Sequence, residues 1–161
     1  MIQAIKWVYL VTLATWVGSI VFFSAVVAPA VFQILNREDA GRLQRALFPR
    51  YYLLGCVCAV VGIVCVGWLV ADRAFGKWPG IFSLLLLAGM GATDFWLRQT
   101  VLPRLNELRE LKNPTIGTGR APDLDAEAEW KTLHRLSVQL NVAVLLCGLT
   151  LLFLVVFSRV A

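Results

Sequence analysis

The chain has 161 residues, of which 59% are hydrophobic and 16% charged, and its formal net charge is +5 at pH 7. A soluble domain is usually about 45–50% apolar and leaves much of its surface in water, so this composition excludes an ordinary soluble domain and indicates a membrane protein. A positive charge also suits nucleic-acid binding, but the basic residues lie beside apolar segments. A membrane-flanking role, with no nucleic-acid partner, is the simpler interpretation.

Four segments are long and apolar enough to cross a bilayer, because a membrane-spanning helix needs about 20 mostly apolar residues. They lie at about 5–28, 51–71, 81–97 and 136–157, and their apolar residues fall all around the helix. The first apolar run continues to Phe32, beyond the core of a typical signal peptide, so we interpret it as a retained span. The predicted fold is all-α: one domain over residues 1–161, an integral membrane four-helix bundle.

The first two connections differ in length and character. Residues 36–48, between the first and second spans, have apolar residues at helical spacing among arginines, which suits an amphipathic helix in the membrane interface. Residues 72–80, between the second and third spans, hold two glycines and a proline and predict a tight turn.

The third connection is the longest. Leucines three residues apart mark residues 101–112 as an amphipathic helix that continues the third span into water, with a kink at Pro103. Residues 113–122 contain two glycines and two prolines and predict a loop. Asp123 then suits the N-cap of a helix that begins outside the membrane, near Leu124, and continues into the fourth span.

The basic residues predict the orientation. Of the 15 Lys and Arg residues, eleven lie in or beside the first and third connections, so the positive-inside rule places these connections in the cytoplasm and both termini outside. Helices three and four then extend into the cytoplasm, and we predict a bacterial inner-membrane location. The eleven are Arg37, Arg42, Arg45, Arg50, Arg98, Arg104, Arg109, Lys112, Arg120, Lys131 and Arg135, and the opposite side carries Lys6, Arg73, Lys77 and Arg159.

Polar side chains gather at the predicted cytoplasmic ends of the spans, whereas the opposite half of the bundle is nearly all apolar. Because a polar group in hydrocarbon needs a partner, this pattern predicts one polar vestibule that opens to the cytoplasm. Asp94 and Arg98 are one helical turn apart and are predicted to pair, most simply in a structural role. Trp16, at mid-span, is interpreted as a packing residue. The predicted vestibule consists of Arg50, Tyr51, Asp94, Arg98, His134, Ser137 and Asn141.

The sequence identifies no cofactor, but two alternatives stay open. His134 is a candidate haem ligand with Met90 as a second axial ligand, although Met90 is expected to lie deeper in the membrane. Cys58 and Cys65 are seven residues apart and share a helix face, so their thiolates are candidate ligands for a soft metal such as Cu(I). Interhelical hydrogen bonding by His134 and burial of the cysteines as small hydrophobic side chains are the simpler interpretations.

Short motifs along nearly the whole chain resemble one membrane family. They are Trp16-Val17-Gly18, Phe22-Phe23, Ala28-Pro29 with Phe32, then Phe48-Pro49-Arg50-Tyr51-Tyr52, and His134-Arg135-Leu136-Ser137 with Asn141. Together they resemble the transmembrane-protein-205-like family, which implies a compact four-helix membrane bundle and no particular reaction. A more distant resemblance joins the chain to the copper-resistance D proteins and to bacterial membrane-bound protoporphyrinogen oxidases. The oxidases use a histidine in the first helix, where this chain has none.

These observations predict a small binding, transport-associated or accessory membrane subunit. Four short spans leave little room for an alternating-access pathway in one chain, so beyond the lipid bilayer we expect a homo-oligomer or a larger membrane complex as partner. The alternative is a haem- or metal-binding membrane redox protein that uses His134. An enzyme with His134 and Asp94 as acid–base groups is less favoured, because the sequence shows no nucleophile, base and orienting group together.

Overall fold

The computed structural model describes residues 1–112 and 123–157, except for the side chains of Arg37 and Lys112. This part of the chain forms four long helices and has no strand. Helix α1 comprises Ile2–Phe22, a π-helical turn at Phe23–Val27, and Ala28–Ile34; α2 is Arg37–Ala71; α3 comprises Lys77–Trp96, a π-helical turn at Leu97–Val101, and Leu102–Lys112; α4 is Leu124–Phe157.

All four helices are long and apolar enough to cross a membrane, which confirms the predicted all-α integral membrane fold. Their large apolar side chains face outward as well as inward. Val60 is 62% exposed and Leu85 is 67% exposed. Such exposure is unfavourable in water over so wide a surface, but it is the expected state of a side chain that contacts lipid.

The amphipathic segment at 36–48 is the first part of α2 rather than a separate helix. Asn36 caps it, because its side-chain oxygen accepts the backbone N–H three residues on at 2.9 Å. The helix then continues through Pro49 into the apolar span. Its polar side contacts the end of α3, where Arg45 Nη1 donates to Glu110 Oε1 at 2.8 Å. The polar side of this segment thus also meets protein.

The turn between α2 and α3 is shorter than the predicted 72–80, since α3 already begins at Lys77. Arg73 has a φ of 55°, a left-handed conformation that ends many helices. Gly80 lies inside α3, and a larger residue does not fit there, because a Cβ at this position would overlap Val70 of α2. The glycine that suggested a longer turn thus serves close packing of the two helices.

The start of α4 agrees with the sequence. Asp123 Oδ1 accepts the backbone N–H groups of Asp125 at 3.0 Å and Ala126 at 3.1 Å. The predicted N-cap and the predicted beginning at Leu124 are both confirmed. The predicted loop at 113–122 lies outside the described residues.

Each π-helical turn ends two residues before a proline, at Pro29 in α1 and at Pro103 in α3. Proline has no backbone N–H, and its ring displaces the carbonyl group one turn earlier, so it removes a hydrogen bond from the α-helical ladder and disturbs the turn before it. An extra residue in the preceding turn lets the remaining carbonyl groups find donors. The predicted disturbance at Pro103 is therefore a widened turn that begins at Leu97.

The core runs along the bundle axis, where Leu13, Trp16, Leu87 and Leu151 are almost fully buried. Helices α2 and α3 approach closely, since a Cβ at Gly91 would lie 2.6 Å from the Cβ of Ala59. This close approach brings the polar residues of both helices together.

Candidate intramembrane site

Asp94 of α3 lies inside the bundle, with 3% of its surface exposed. One carboxyl oxygen, Oδ2, accepts the indole N–H of Trp16 from α1 at 3.1 Å. Helix α2 passes directly beside this carboxyl at Gly55, where a Cβ would overlap Asp94 Oδ2. Three helices therefore build one small site from an acid, an indole donor and the space left by a glycine.

The predicted pairing of Asp94 with Arg98 is wrong. Arg98 Nε donates to the backbone oxygen of Pro49 in α2 at 3.2 Å, and no described Lys or Arg side chain forms an ion pair with Asp94. Arg98 belongs to the π-helical turn, and its side chain reaches from α3 to the backbone of α2. Asp94 faces the core instead.

A hydrogen-bonded set of side chains lies one turn along α2 from Gly55. Tyr51 Oη donates to Asn141 Oδ1 of α4 at 2.9 Å. Asn141 Nδ2 in turn donates to Tyr52 Oη at 3.2 Å and to the backbone oxygen of Ser137 at 2.9 Å. Asn141 thus joins α4 to α2 through both tyrosines. The spacing of polar residues on α4 alone did not predict the hydrogen bond to Tyr52.

Aromatic rings surround the two tyrosines. The ring centroids of Phe23 and Tyr51 are 5.2 Å apart, those of Phe48 and Tyr52 are 6.0 Å apart, and those of the two tyrosines are 5.1 Å apart. Phe23 opens the π-helical turn of α1, and Tyr52 packs against Leu97 of the π-helical turn of α3. Both irregular turns therefore border the same cluster, and π-helical turns often occur at functional sites.

The other predicted vestibule residues occupy different surroundings. Ser137 is buried and donates to the backbone oxygen of His134 at 2.8 Å. Arg50 is exposed and donates to the backbone oxygen of Ala46 at 2.6 Å. His134 is exposed, and its ring stacks on Trp130 at 4.8 Å. The structure thus brings Tyr51 and Asn141 together with Ser137, near Asp94, and leaves Arg50, Arg98 and His134 at the border of the bundle.

The two candidate metal ligands, Cys58 and Cys65, are buried in the core among apolar side chains. Met90, the candidate partner of His134 on a haem, is buried as well. No group of three or more His, Cys, Asp or Glu side chains in the described parts of the chain is arranged to hold a metal ion.

A second buried polar pair lies in the half of the bundle that the sequence predicts to be apolar. Tyr9 of α1 and Ser83 of α3 are 1% and 0% exposed, and neither hydroxyl oxygen has a hydrogen-bond partner among the described residues. The two hydroxyls lie close to each other, but they do not meet in hydrogen-bond geometry. Buried hydroxyls without partners are rare, so this pair is a true exception in the core.

Comparison with known proteins extends these observations. Residues 11–114 match a family described as a domain of unknown function (DUF4149). An uncharacterized protein of Aquifex aeolicus (strain VF5) is 31% identical over 153 residues, which cover 93% of this chain and 96% of that protein. No solved structure matches. The family match includes Trp16, Gly55 and Asp94, and the chain belongs to this DUF4149 family.

Proposed function

We propose that this integral membrane protein is a small binding or transport-associated subunit in which Asp94 takes up and releases a proton or another small cation. The observation that carries the proposal is a carboxyl group at the centre of an apolar bundle with one hydrogen-bond donor, Trp16, and no described cationic partner. An isolated carboxylate is costly in such surroundings, so the group is stable when protonated or when a cation binds it.

The neighbouring side chains support exchange at this carboxyl. Tyr52 Oη accepts from Asn141, so its own proton remains available for another acceptor. Tyr51 and Tyr52 precede Gly55 on α2 by about one turn and so lie close to the Asp94 carboxyl. Hydroxyl and amide groups of this kind coordinate a cation or pass a proton, whereas the core on the other side of Asp94 offers Leu87 and Met90. The proposed vestibule is therefore smaller than the one predicted from the sequence and consists of Asp94, Tyr51, Tyr52 and Asn141.

We further propose that this vestibule opens to the cytoplasm of a bacterial cell, on the basis of the eleven basic residues that the sequence places in or beside the first and third connections. The four helices leave little room for a pathway within one chain, which favours an oligomer or a larger complex. The resemblance to the transmembrane-protein-205-like family belongs to the same proposal and adds the four-helix architecture without a reaction.

A hydrophobic carbodiimide tests the proposal directly, because such reagents partition into the membrane and form a stable adduct with a protonated carboxyl group. We expect peptide mass analysis of treated membranes to find the adduct at Asp94, and we expect less adduct as the pH is raised. Asp94→Asn is the matched control and should lose this adduct while the adducts of other carboxyl groups remain. A folded wild-type protein without an adduct at Asp94, or an adduct whose yield does not change with pH, would contradict the proposed proton exchange.

A further inference from the structure

A groove runs along the outside of the bundle where α2 and α3 meet. Its volume is about 390 Å³, within the range of about 300–1,000 Å³ that small-molecule sites occupy. Small side chains on α3 leave the space, and larger apolar side chains form its edges. The wall consists of Cys56, Val60 and Ile63 from α2 and Ala88, Ala92 and Phe95 from α3.

Arg98 lies one helical turn beyond Phe95, at the end of the groove nearest the polar end of the bundle. Its Nε bond to the backbone oxygen of Pro49 crosses from α3 to α2 at this point. The two Nη groups of Arg98 have no partner among the described residues, and neither Arg98 nor Arg50 forms an ion pair with a described carboxylate. Arg50 follows Pro49 directly and is exposed.

The arginines farther from the apolar spans behave differently. Arg45 pairs with Glu110 at 2.8 Å, and Arg104 pairs with Glu129 at 2.7 Å. These two arginines are thus compensated by carboxylates within the protein, whereas Arg98 and Arg50 have no carboxylate partner among the described residues. Both residues flank predicted spans, where we expect headgroup phosphates, and a guanidinium binds a phosphate through parallel N–H groups.

We propose that the groove and Arg98 form a binding site for one anionic phospholipid. The phosphate contacts the free Nη groups of Arg98, with Arg50 adding positive charge, and one acyl chain lies in the groove between Val60 and Ala92. The apolar wall of the groove matches the acyl chain of the lipid, and the uncompensated guanidinium of Arg98 matches its headgroup. Along the bundle, the wall and the guanidinium follow each other in the same order as the acyl chain and the headgroup of a lipid in the membrane. This site is separate from Asp94, which faces the interior.

Native mass spectrometry of the delipidated protein tests the site, with phosphatidylglycerol and phosphatidylcholine of identical chains as probes. We expect wild type to bind one phosphatidylglycerol more tightly than phosphatidylcholine, and Arg98→Gln to weaken phosphatidylglycerol binding about fivefold or more. Arg42→Gln is the matched control, because Arg42 is exposed and already pairs with Glu38. Equal effects of Arg98→Gln and Arg42→Gln, or equal binding of both lipids by wild type, would overturn the headgroup site.

The acyl chain is tested separately. Ala92→Leu fills the groove and should weaken the binding of both lipids, whereas Ala143→Leu, at an exposed alanine of α4 outside the groove, should leave binding unchanged. If Ala92→Leu has no greater effect than Ala143→Leu, the chain does not occupy the groove. Ala92 is exposed and its side chain forms no hydrogen bond, so we expect Ala92→Leu to fold like the wild type. Thermal unfolding of each variant checks this, and it separates a loss of lipid binding from a loss of folding.

Discussion

Gly55 lies where α2 passes the Asp94 carboxyl, and this contact gives the sharpest prediction at the scale of single residues. A methyl group at Gly55 would overlap Asp94 Oδ2 and come within 2.9 Å of Trp16 Nε1. Gly55→Ala should therefore lower the free energy of unfolding by about 1–3 kcal/mol, the usual cost of overfilling a packed site, as measured by denaturant unfolding in detergent.

Gly67 of the same helix provides the control, because a Cβ there meets nothing within 4 Å. Gly67→Ala should be neutral or stabilise the helix by up to about 1 kcal/mol, since alanine has the higher helix propensity. Similar effects of the two substitutions would show that the carboxyl does not occupy the space beside Gly55.

The unpartnered hydroxyls of Tyr9 and Ser83 give a prediction of opposite sign. A buried hydroxyl without a hydrogen bond destabilises the folded state by about 1–3 kcal/mol, so Ser83→Ala and Tyr9→Phe should each raise the midpoint of thermal unfolding. Ser19→Ala is the control, because Ser19 donates to the backbone oxygen of Trp16 at 2.7 Å and should gain nothing from the change. Lower midpoints for both Ser83→Ala and Tyr9→Phe would show that the two hydroxyls have partners after all.

The residues of the site differ in how far their sequence context predicts them. Asp94 and Asn141 are polar residues within apolar spans, so their importance is visible in the sequence, although their partners are not. Trp16 looked like a packing residue because an indole is mostly apolar. Its single N–H nevertheless needs an acceptor when buried, and Asp94 is the acidic residue of the spans. Pairing the two required the relative rotation of α1 and α3, which only packing fixes.

At the scale of elements, the turn after α2 carries a local strain at Arg73, whose φ is 55°. A left-handed backbone costs a non-glycine residue roughly 1–2 kcal/mol, and glycine avoids this cost. Arg73→Gly should raise the free energy of unfolding by up to about 1 kcal/mol, whereas Arg73→Ala removes the same charge without relieving the backbone and should not. Equal stability of the two variants, measured by denaturant unfolding, would contradict the left-handed conformation.

Caps and spans were predictable as elements, and the irregular turns were not. Asp123 was identifiable because a side-chain acceptor before an acidic first turn has one common use. The π-helical turns before Pro29 and Pro103 have no such signal, since a proline in a helix is compatible with a kink, a break or a widened turn. Neighbouring helices add a constraint that the sequence does not display, and here the tyrosines of α2 pack against both turns.

At the scale of the whole molecule, the orientation in the membrane follows from charge rather than from packing. Basic residues resist transfer across the membrane during insertion. The first and third connections, in or beside which the sequence has eleven of the 15 Lys and Arg residues, are therefore expected to stay in the cytoplasm. In a variant whose four native cysteines are replaced by alanine, we would introduce either Asp125→Cys at the start of α4 or Lys77→Cys at the start of α3. Both positions are exposed, and they lie at opposite ends of the bundle. A membrane-impermeant maleimide added to intact spheroplasts should label the cysteine at position 77 and reach the one at position 125 only after the membrane is opened. Labelling of position 125 in intact spheroplasts would reverse the orientation and would place the opening of the Asp94 vestibule on the outer side.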